Sequence, residues 1–217
     1  MSVVESTLHV PRVTRTPALL DFLQMLTGAA LILFMWSHMI LVSSVLVGPE
    51  VMNAIAAFFE ATYMAQVGGP IIGAGFLLHF VLASRKLPFR VSEQRVIWRH
   101  AKMLRHPDTW MWVVQAVTAM IILIMGAIHM WVVLTTLPIT AAKSAGRIQE
   151  GFWLVFYVIL LPMVELHVGI GFFRIGVKWG WVKRGGRRVF GGIEKLLTLF
   201  FLTIGVLTLV RFYTLVG

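Results

Sequence analysis

The amino-acid sequence predicts an all-α integral membrane protein, built as a bundle of five transmembrane helices. The chain of 217 residues is 59% hydrophobic, whereas about 45–50% is usual in soluble domains, and its mean hydropathy is +0.86. A helix needs roughly 20 apolar residues to cross a bilayer, and five stretches meet this requirement. They are Phe22–Val47, Ala61–Ala83, Trp110–Thr136, Phe152–Phe173 and Phe190–Leu215. Because these spans fill most of the chain, residues 1–217 are expected to form a single membrane domain.

The positive charge is distributed unevenly among the segments that connect the spans. The formal net charge is +10. The basic residues before span one, between spans two and three, and around the end of span four are Arg12, Arg15, Arg85, Lys86, Arg90, Arg95, Arg99, Lys102, Arg105, Arg174, Lys178, Lys183, Arg184, Arg187 and Arg188. The other two connections carry only Lys143 and Arg147. The positive-inside rule therefore predicts a cytoplasmic N-terminus and an external C-terminus, and this distribution argues against nucleic acid as a partner.

Two absences narrow the classes of protein that the sequence allows. Residues 1–21 lack the apolar core of a signal peptide, so we expect a multi-pass protein of the cytoplasmic membrane, with lipid around it. The sequence contains no cysteine, so it cannot hold an iron–sulfur cluster through thiolates or attach a c-type haem. No internal repeat, phosphate-binding loop or nucleophile motif is evident.

Each of the first four spans carries one histidine deep within it, and the fifth carries none. These residues are His38, His79, His129 and His167. Histidine is costly at membrane depth and is usually functional there. Under the predicted topology, spans one and three place their histidines toward the outer face, and spans two and four toward the inner face. The pattern predicts an outer pair, His38 with His129, and an inner pair, His79 with His167, each suited to the axial ligation of a haem iron.

Two simpler roles for the histidines account less well for the pattern. A single histidine in a helix is usually a hydrogen-bonding core residue, but four of them at two matched depths are hard to account for in this way. A tetrahedral metal site is disfavoured because ligands at two levels cannot converge on one ion.

Small residues near the histidines fit a large flat ligand. Gly75, Gly126 and Gly171 lie three or four residues from a histidine and thus on the same helix face. Glycine would let a ring approach the backbone closely. Ordinary helix packing in membranes also favours small residues, and Gly69 and Gly73 fit such packing.

Polar residues near the ends of the spans are candidates for binding haem propionates. Gln24, Trp112 and Lys178 lie toward the inner side, and Lys178 follows His167 by three helical turns on one face. Arg147 lies on the outer side. Tryptophan and lysine are also routine interfacial anchors in membrane proteins.

The whole chain resembles the dihaem cytochrome b subunit of quinol:fumarate reductase and succinate:quinone reductase. The resemblance rests on five helices, histidines in the first four, no cysteine and a long basic inner loop. Its most specific piece is Glu165-Leu166-His167, because dihaem fumarate reductases carry a glutamate two residues before the fourth ligand. The menaquinol-oxidising branch is most similar, including the enzyme of sulfate-reducing bacteria. The resemblance implies two haem b groups, with the same pairing of helices that depth predicts.

The resemblance also implies roles for two glutamates. The quinol-site glutamate of the family ends the first outer loop as the second helix begins, which here is Glu60. It would accept protons from quinol, although a helix N-terminus favours a carboxylate in any case. Glu165 lies within a span, three residues after Pro162, which removes one helix hydrogen bond. In the family the matching glutamate is implicated in proton transfer, and burial favours the protonated carboxyl that a relay needs.

The function that the resemblance implies is that of a membrane anchor and electron-transfer subunit. Menaquinol would be oxidised near the outer haem, and electrons would pass through both haems to an iron–sulfur subunit on the cytoplasmic face. A flavoprotein subunit would reduce fumarate to succinate, and the heterotrimer could form dimers. The residues leave three alternatives open, namely succinate oxidation by the same fold, the cytochrome b of a hydrogenase or formate dehydrogenase, and a proton-coupled transporter.

Overall fold

The computed structural model describes residues 15–215, and this part of the chain is helical without any strand. Its α-helices are α1 (Thr16–Ser43), α2 (Pro49–Ala61), α3 (Met64–Ser84), α4 (Val91–Leu104), α5 (Pro107–Thr135), α6 (Ala141–Gln149), α7 (Phe152–Lys178) and α8 (Arg187–Thr214). Among them α1, α3, α5, α7 and α8 are long and apolar enough to cross a membrane. The predicted all-α bundle of five spans is confirmed. Arg12, one of the charges behind the predicted topology, lies outside the described residues.

The spanning helices are longer than the apolar stretches that predicted them. The first begins at Thr16 instead of Phe22, and α7 continues to Lys178 instead of Phe173. Hydropathy marks only the apolar part of a helix, whereas backbone hydrogen bonds continue into polar residues. As a consequence, Asp21 and Lys178 belong to spanning helices and keep the helical register of the residues deeper in the bundle.

The two weakly charged connections each contain a short helix rather than an open loop. Helix α2 begins with Pro49, which is well tolerated in a first turn. Helix α6 begins after Thr140, whose hydroxyl accepts a hydrogen bond from the backbone N–H of Lys143 at 3.1 Å. Both helices join an apolar cluster with the ends of α1 and α8. Its buried members are Val45, Met52, Ala141, Ala145, Ile148 and Phe212. We call this the capped end of the bundle, and the opposite end, which carries α4 and the basic clusters, the basic end.

Helix α7 lies at the centre of the bundle, with its most extensive contacts to α5 and α8. Its approach to α8 requires Gly169, because a Cβ there would collide with the side chains of Thr198 and Glu194. Small residues commonly permit such approaches between membrane helices. The ring of Trp36 in α1 stacks on Phe201 of α8 with centroids 5.6 Å apart. Helix α8 thus completes the bundle through packing.

Candidate functional site

A cavity of about 860 Å³ runs through the middle of the bundle. It reaches from Asp21 at the basic end to Phe212 at the capped end. Side chains of α1, α3, α5 and α7 supply most of its lining, and they include all four of the deep histidines. The volume is in the range of sites that enclose a large organic ligand. One cavity therefore connects the two levels at which the histidines lie.

The capped-end pair is formed by His38 of α1 and His129 of α5. Their ring centroids are 6.0 Å apart and their planes are inclined by 68°. Two imidazoles that bind one metal atom from opposite sides, each through a bond of about 2 Å, have centroids about 6 Å apart. The Nδ1 atom of His129 is 2.9 Å from the hydroxyl of Tyr157, and the ring of His38 stacks on Phe34 at 5.6 Å.

The basic-end pair is formed by His79 of α3 and His167 of α7, which both line the cavity. Each ring contacts a threonine of the neighbouring helix. The hydroxyl of Thr27 is 3.0 Å from Nδ1 of His79, and that of Thr118 is 3.1 Å from Nδ1 of His167. Because Nδ1 is engaged in both rings, Nε2 is the nitrogen left to bind a further group.

Features of the cavity beside the histidines fit a flat ring with polar groups at its edge. The ring of His79 packs closely against the backbone of Gly28, since a Cβ at this glycine would lie only 2.9 Å from the ring atom Cε1. The amide oxygen of Gln24 is buried and accepts no hydrogen bond from residues 15–215. In the same range, no three His, Cys, Asp or Glu side chains cluster as a metal site.

The glycines singled out in the sequence divide into two groups. Gly126 and Gly171 line the cavity, whereas Gly75 does not, and a Cβ at Gly75 would meet nothing within 4 Å. Gly69 and Gly73 lie against side chains of α5, which agrees with a role in helix packing, and Gly69 also lines the cavity. The close approach to His79 comes from Gly28 on the neighbouring helix, which sequence spacing along one helix did not identify.

The four candidates for propionate binding all line the cavity. Gln24, Trp112 and Lys178 lie toward the basic end and Arg147 toward the capped end. The guanidinium of Arg147 also donates to the hydroxyl of Thr136 at 2.9 Å and lies over the ring of Trp153.

A charged cluster that sequence spacing did not predict surrounds Asp21 at the basic end of the cavity. Its carboxylate accepts hydrogen bonds from Lys178 at 2.7 Å, from Lys86 at 2.6 Å and from Arg85 at 3.3 Å. Arg174 lines the cavity nearby. Partial burial lowers the pKa of Lys86, while the hydrogen bond to Asp21 opposes that shift. Three cations around one carboxylate leave an excess of positive charge where an anionic edge of a ligand would lie.

Glu60 lies in the last turn of α2 rather than at the start of α3. The two helices are separated by a break at Tyr63, whose φ is 57°. The carboxylate of Glu60 accepts a hydrogen bond from the backbone N–H of Ile139, and Asn53, two turns earlier, accepts one from Ala141 at 2.7 Å. Glu60 does not line the central cavity, so it lies at the capped end, outside the space between the histidines.

Glu165 lies deep in the bundle. Its side chain is 2% exposed and lines the cavity together with His167. Helix α7 continues through Pro162 without interruption, so Glu165 lies about 3 Å along the helix axis from His167, on the side of the capped-end pair.

Comparison with known proteins places the chain in one family. Residues 91–210 match the family described as succinate dehydrogenase/fumarate reductase transmembrane subunit. Over 201 residues the chain is 36% identical to the fumarate reductase cytochrome b subunit of Helicobacter pylori, an alignment that covers 88% of this chain and 78% of that protein. Over 210 residues it is 34% identical to the fumarate reductase cytochrome b subunit of Wolinella succinogenes, with 90% and 81% covered.

Proposed function

The chain belongs to the succinate dehydrogenase/fumarate reductase transmembrane subunit family, and from this premise we propose that it is the membrane-anchor and electron-transfer subunit of a menaquinol:fumarate reductase. The observation that carries the proposal is the single cavity lined by four histidines in two pairs. Electron transfer across a membrane needs redox carriers at two depths. The two histidine pairs lie at two depths in the bundle, and each would hold one carrier.

Two haem b groups would be held by these pairs, one by His38 and His129 and the other by His79 and His167. Gln24, Trp112 and Lys178 would bind propionates at the basic end, and Arg147 would do so at the capped end. When bound, the haems supply one-electron redox chemistry between menaquinol and an iron–sulfur protein. The chain itself would orient the imidazoles and present cations to the propionates.

The basic end would face the cytoplasm, in agreement with the positive-inside rule. The basic residues of α4 and of the segment before it would then lie where an iron–sulfur subunit and a flavoprotein subunit dock. The fumarate chemistry takes place in the flavoprotein, and this chain contributes none of it. The heterotrimer could form dimers in the membrane.

Quinol oxidation would take place near the capped end, and Glu60 would accept a proton there. Oxidation of a quinol releases two protons with two electrons, so a carboxylate near the site serves as the base. In the structure the carboxylate of Glu60 accepts a hydrogen bond from the backbone N–H of Ile139. This bond joins α2 to the segment before α6. Glu165, between the two pairs, would relay protons within the membrane.

The family match favours this function over the alternatives that the sequence left open. The matching family is described as a succinate dehydrogenase/fumarate reductase transmembrane subunit, and its description names neither a hydrogenase or formate dehydrogenase cytochrome nor a transporter. Both relatives are called fumarate reductase subunits, which favours fumarate reduction over succinate oxidation as the direction.

Purification of the protein from its native membranes tests the proposal. We expect a flavoprotein and an iron–sulfur protein to copurify with the chain, and a pyridine haemochrome assay to give two haem b per chain. A protein without haem would contradict the proposal and favour a transporter. Copurification with a hydrogenase or formate dehydrogenase would contradict it in a different way.

A further inference from the structure

The same pair of residues occurs at the same spacing in α1 and α5. Thr27 precedes His38 by eleven residues, and Thr118 precedes His129 by eleven. Eleven residues make about three helical turns and about 16 Å of rise. Each helix therefore presents its threonine and its histidine on nearly the same face, with the threonine at the level of the basic-end pair and the histidine at the level of the capped-end pair.

Each threonine contacts a histidine of the next helix. Thr27 lies 3.0 Å from Nδ1 of His79, and Thr118 lies 3.1 Å from Nδ1 of His167. Helix α1 packs against α3, and α5 packs against α7. The structure thus builds the same hydrogen bond twice, once for each histidine of the basic-end pair.

The hydroxyl groups are placed to accept these hydrogen bonds. Thr27 Oγ1 is 2.9 Å from the carbonyl of Leu23, and Thr118 Oγ1 is 2.9 Å from the carbonyl of Val114. A hydroxyl has one hydrogen, and donation to the carbonyl one turn earlier uses it. The oxygen lone pairs then remain to accept the N–H of the imidazole.

An additional contact fixes the position of the hydrogen on His167. Its Nδ1 is also 3.1 Å from the backbone carbonyl of Gln115. A carbonyl oxygen only accepts, so Nδ1 carries the hydrogen and Nε2 carries the free lone pair. An imidazole in this tautomer binds a metal through Nε2, and the group that accepts its N–H orients the ring and raises its basicity.

We propose that Thr27 and Thr118 are positioning residues that fix the tautomer and the ring orientation of His79 and His167, and that they lower the reduction potential of the haem held there. The inference rests on the proposed function, since it requires a haem between these two histidines. A more basic imidazole stabilises ferric iron more than ferrous iron. Loss of either hydroxyl therefore raises the potential of that haem alone.

Replacement by valine tests the inference, because valine keeps the shape of threonine and removes its hydroxyl. The complex is purified with Thr27→Val, with Thr118→Val and with both changes. Redox titration, followed at the absorption band of each haem, and low-temperature EPR are the measurements. The basic-end haem is the component that His79→Ala removes. We expect its potential to rise by about 59 mV in Thr27→Val, which is a tenfold change in the ratio of reduced to oxidised haem for one electron. The rise should be smaller in Thr118→Val, because the carbonyl of Gln115 still accepts the N–H of His167.

Two controls separate the hydroxyl from general damage. Thr203→Val removes a hydroxyl that bonds only its own helix, to the carbonyl of Leu199 at 2.7 Å, and should leave both potentials unchanged. Thr27→Ser and Thr118→Ser keep the hydroxyl and should stay near the parent values. If a valine variant fails to assemble, the Ser and Ala variants at the same position test the inference instead. The potential of the basic-end haem should then shift in the Ala variant and not in the Ser variant.

Three outcomes overturn the inference. Unchanged potentials and EPR signals in the valine variants, with two haems per chain, would show that the hydroxyls do not act on the ligands. A shift confined to the capped-end haem, or identical behaviour of the Ser and Ala variants, would do the same. Absence of haem from the parent protein would instead overturn the proposed function.

Discussion

The basic-end and capped-end pairs present the same imidazole ligands in different surroundings. At the basic end both histidines have a threonine hydroxyl at Nδ1. At the capped end, His129 contacts a tyrosine hydroxyl and His38 stacks on a phenylalanine. Groups that hydrogen-bond to the ligands of a metal tune the site together with the ligands themselves. Two chemically identical ligand pairs can therefore give two redox centres with different properties.

The two ends of the cavity also differ in charge. Four charged side chains, Asp21, Arg85, Lys86 and Lys178, meet at the basic end, whereas a buried apolar cluster closes the capped end. Local charge and burial both influence the potential of a redox centre. A substitution in one pair, or between the pairs, can therefore be measured with the other pair as an internal reference.

The largest effect is expected from removal of a ligand. His79→Ala and His167→Ala should each abolish the same spectral component, and His38→Ala and His129→Ala the other one, because each pair would hold one haem and either substitution would remove one of its two protein ligands. Reduced-minus-oxidised spectra of the four variants provide the measurement. The pairing would be wrong if His38→Ala and His79→Ala removed the same component.

A large effect on turnover, without loss of haem, is expected at Glu165, which lies between the pairs. Glu165→Gln removes an ionisable group but keeps the size of the side chain. Since a positioned acid–base group contributes about 100-fold or more to rate, menaquinol oxidation should fall by about that factor. Quinol oxidation assays and a haem count are made on the same sample. Unchanged turnover with both haems bound would contradict a role in proton transfer.

A moderate effect on the basic-end pair is expected from Gly28→Ala. The new Cβ would lie 2.9 Å from Cε1 of His79, and overpacking of this kind costs about 1–3 kcal/mol. Thermal unfolding monitored at the haem absorption band should show lower stability and an altered basic-end component. Gly75→Ala is the matched control, because nothing lies within 4 Å of a Cβ at that position. Equal stability of the two variants would show that the contact with His79 is unimportant.

The smallest effect is expected at the capped end. Tyr157→Phe keeps the ring against His129 but removes the hydroxyl that lies 2.9 Å from Nδ1. A single hydrogen bond of this type contributes about 1 kcal/mol net, somewhat less than the roughly 1.4 kcal/mol of a tenfold change. The potential of the capped-end haem should therefore shift by less than that expected for Thr27→Val at the basic end, while the potential of the other haem stays constant. Redox titration resolves the two components. A change in the basic-end component would argue against independent tuning of the pairs.

The sequence was sufficient to predict the five spans and to single out one deep histidine in each of the first four, because hydropathy and charge are local signals. It did not reveal α2, α4 and α6 as helices, since a search for long apolar windows passes over short amphipathic ones. A local signal existed in Thr140, which caps α6. Glu93 at the start of α4 was another, because its carboxylate accepts a hydrogen bond from the backbone N–H of Arg90 at 3.4 Å.

The surroundings of the histidines were harder to predict, because they come from other helices. Thr27 and His79 are 52 positions apart, and only helix packing brings them together. The cluster around Asp21 joins residues up to 157 positions apart. The equal spacing of Thr27 to His38 and of Thr118 to His129 is present in the sequence, but only helix packing shows which histidine each threonine contacts.

In α1 and in α5, the spacing of eleven residues between threonine and histidine sets the distance between the levels of the two histidine pairs. The depth difference between the two levels is encoded as a count of amino acids, at about 1.5 Å each. One residue inserted between Thr27 and His38 would turn the histidine by about 100° relative to the threonine and move it out of line with His129. A single-codon insertion in this stretch would therefore disturb the histidine pairing far more than most substitutions would. An insertion in the segment before α4 would leave the spacing of threonine and histidine unchanged in both helices.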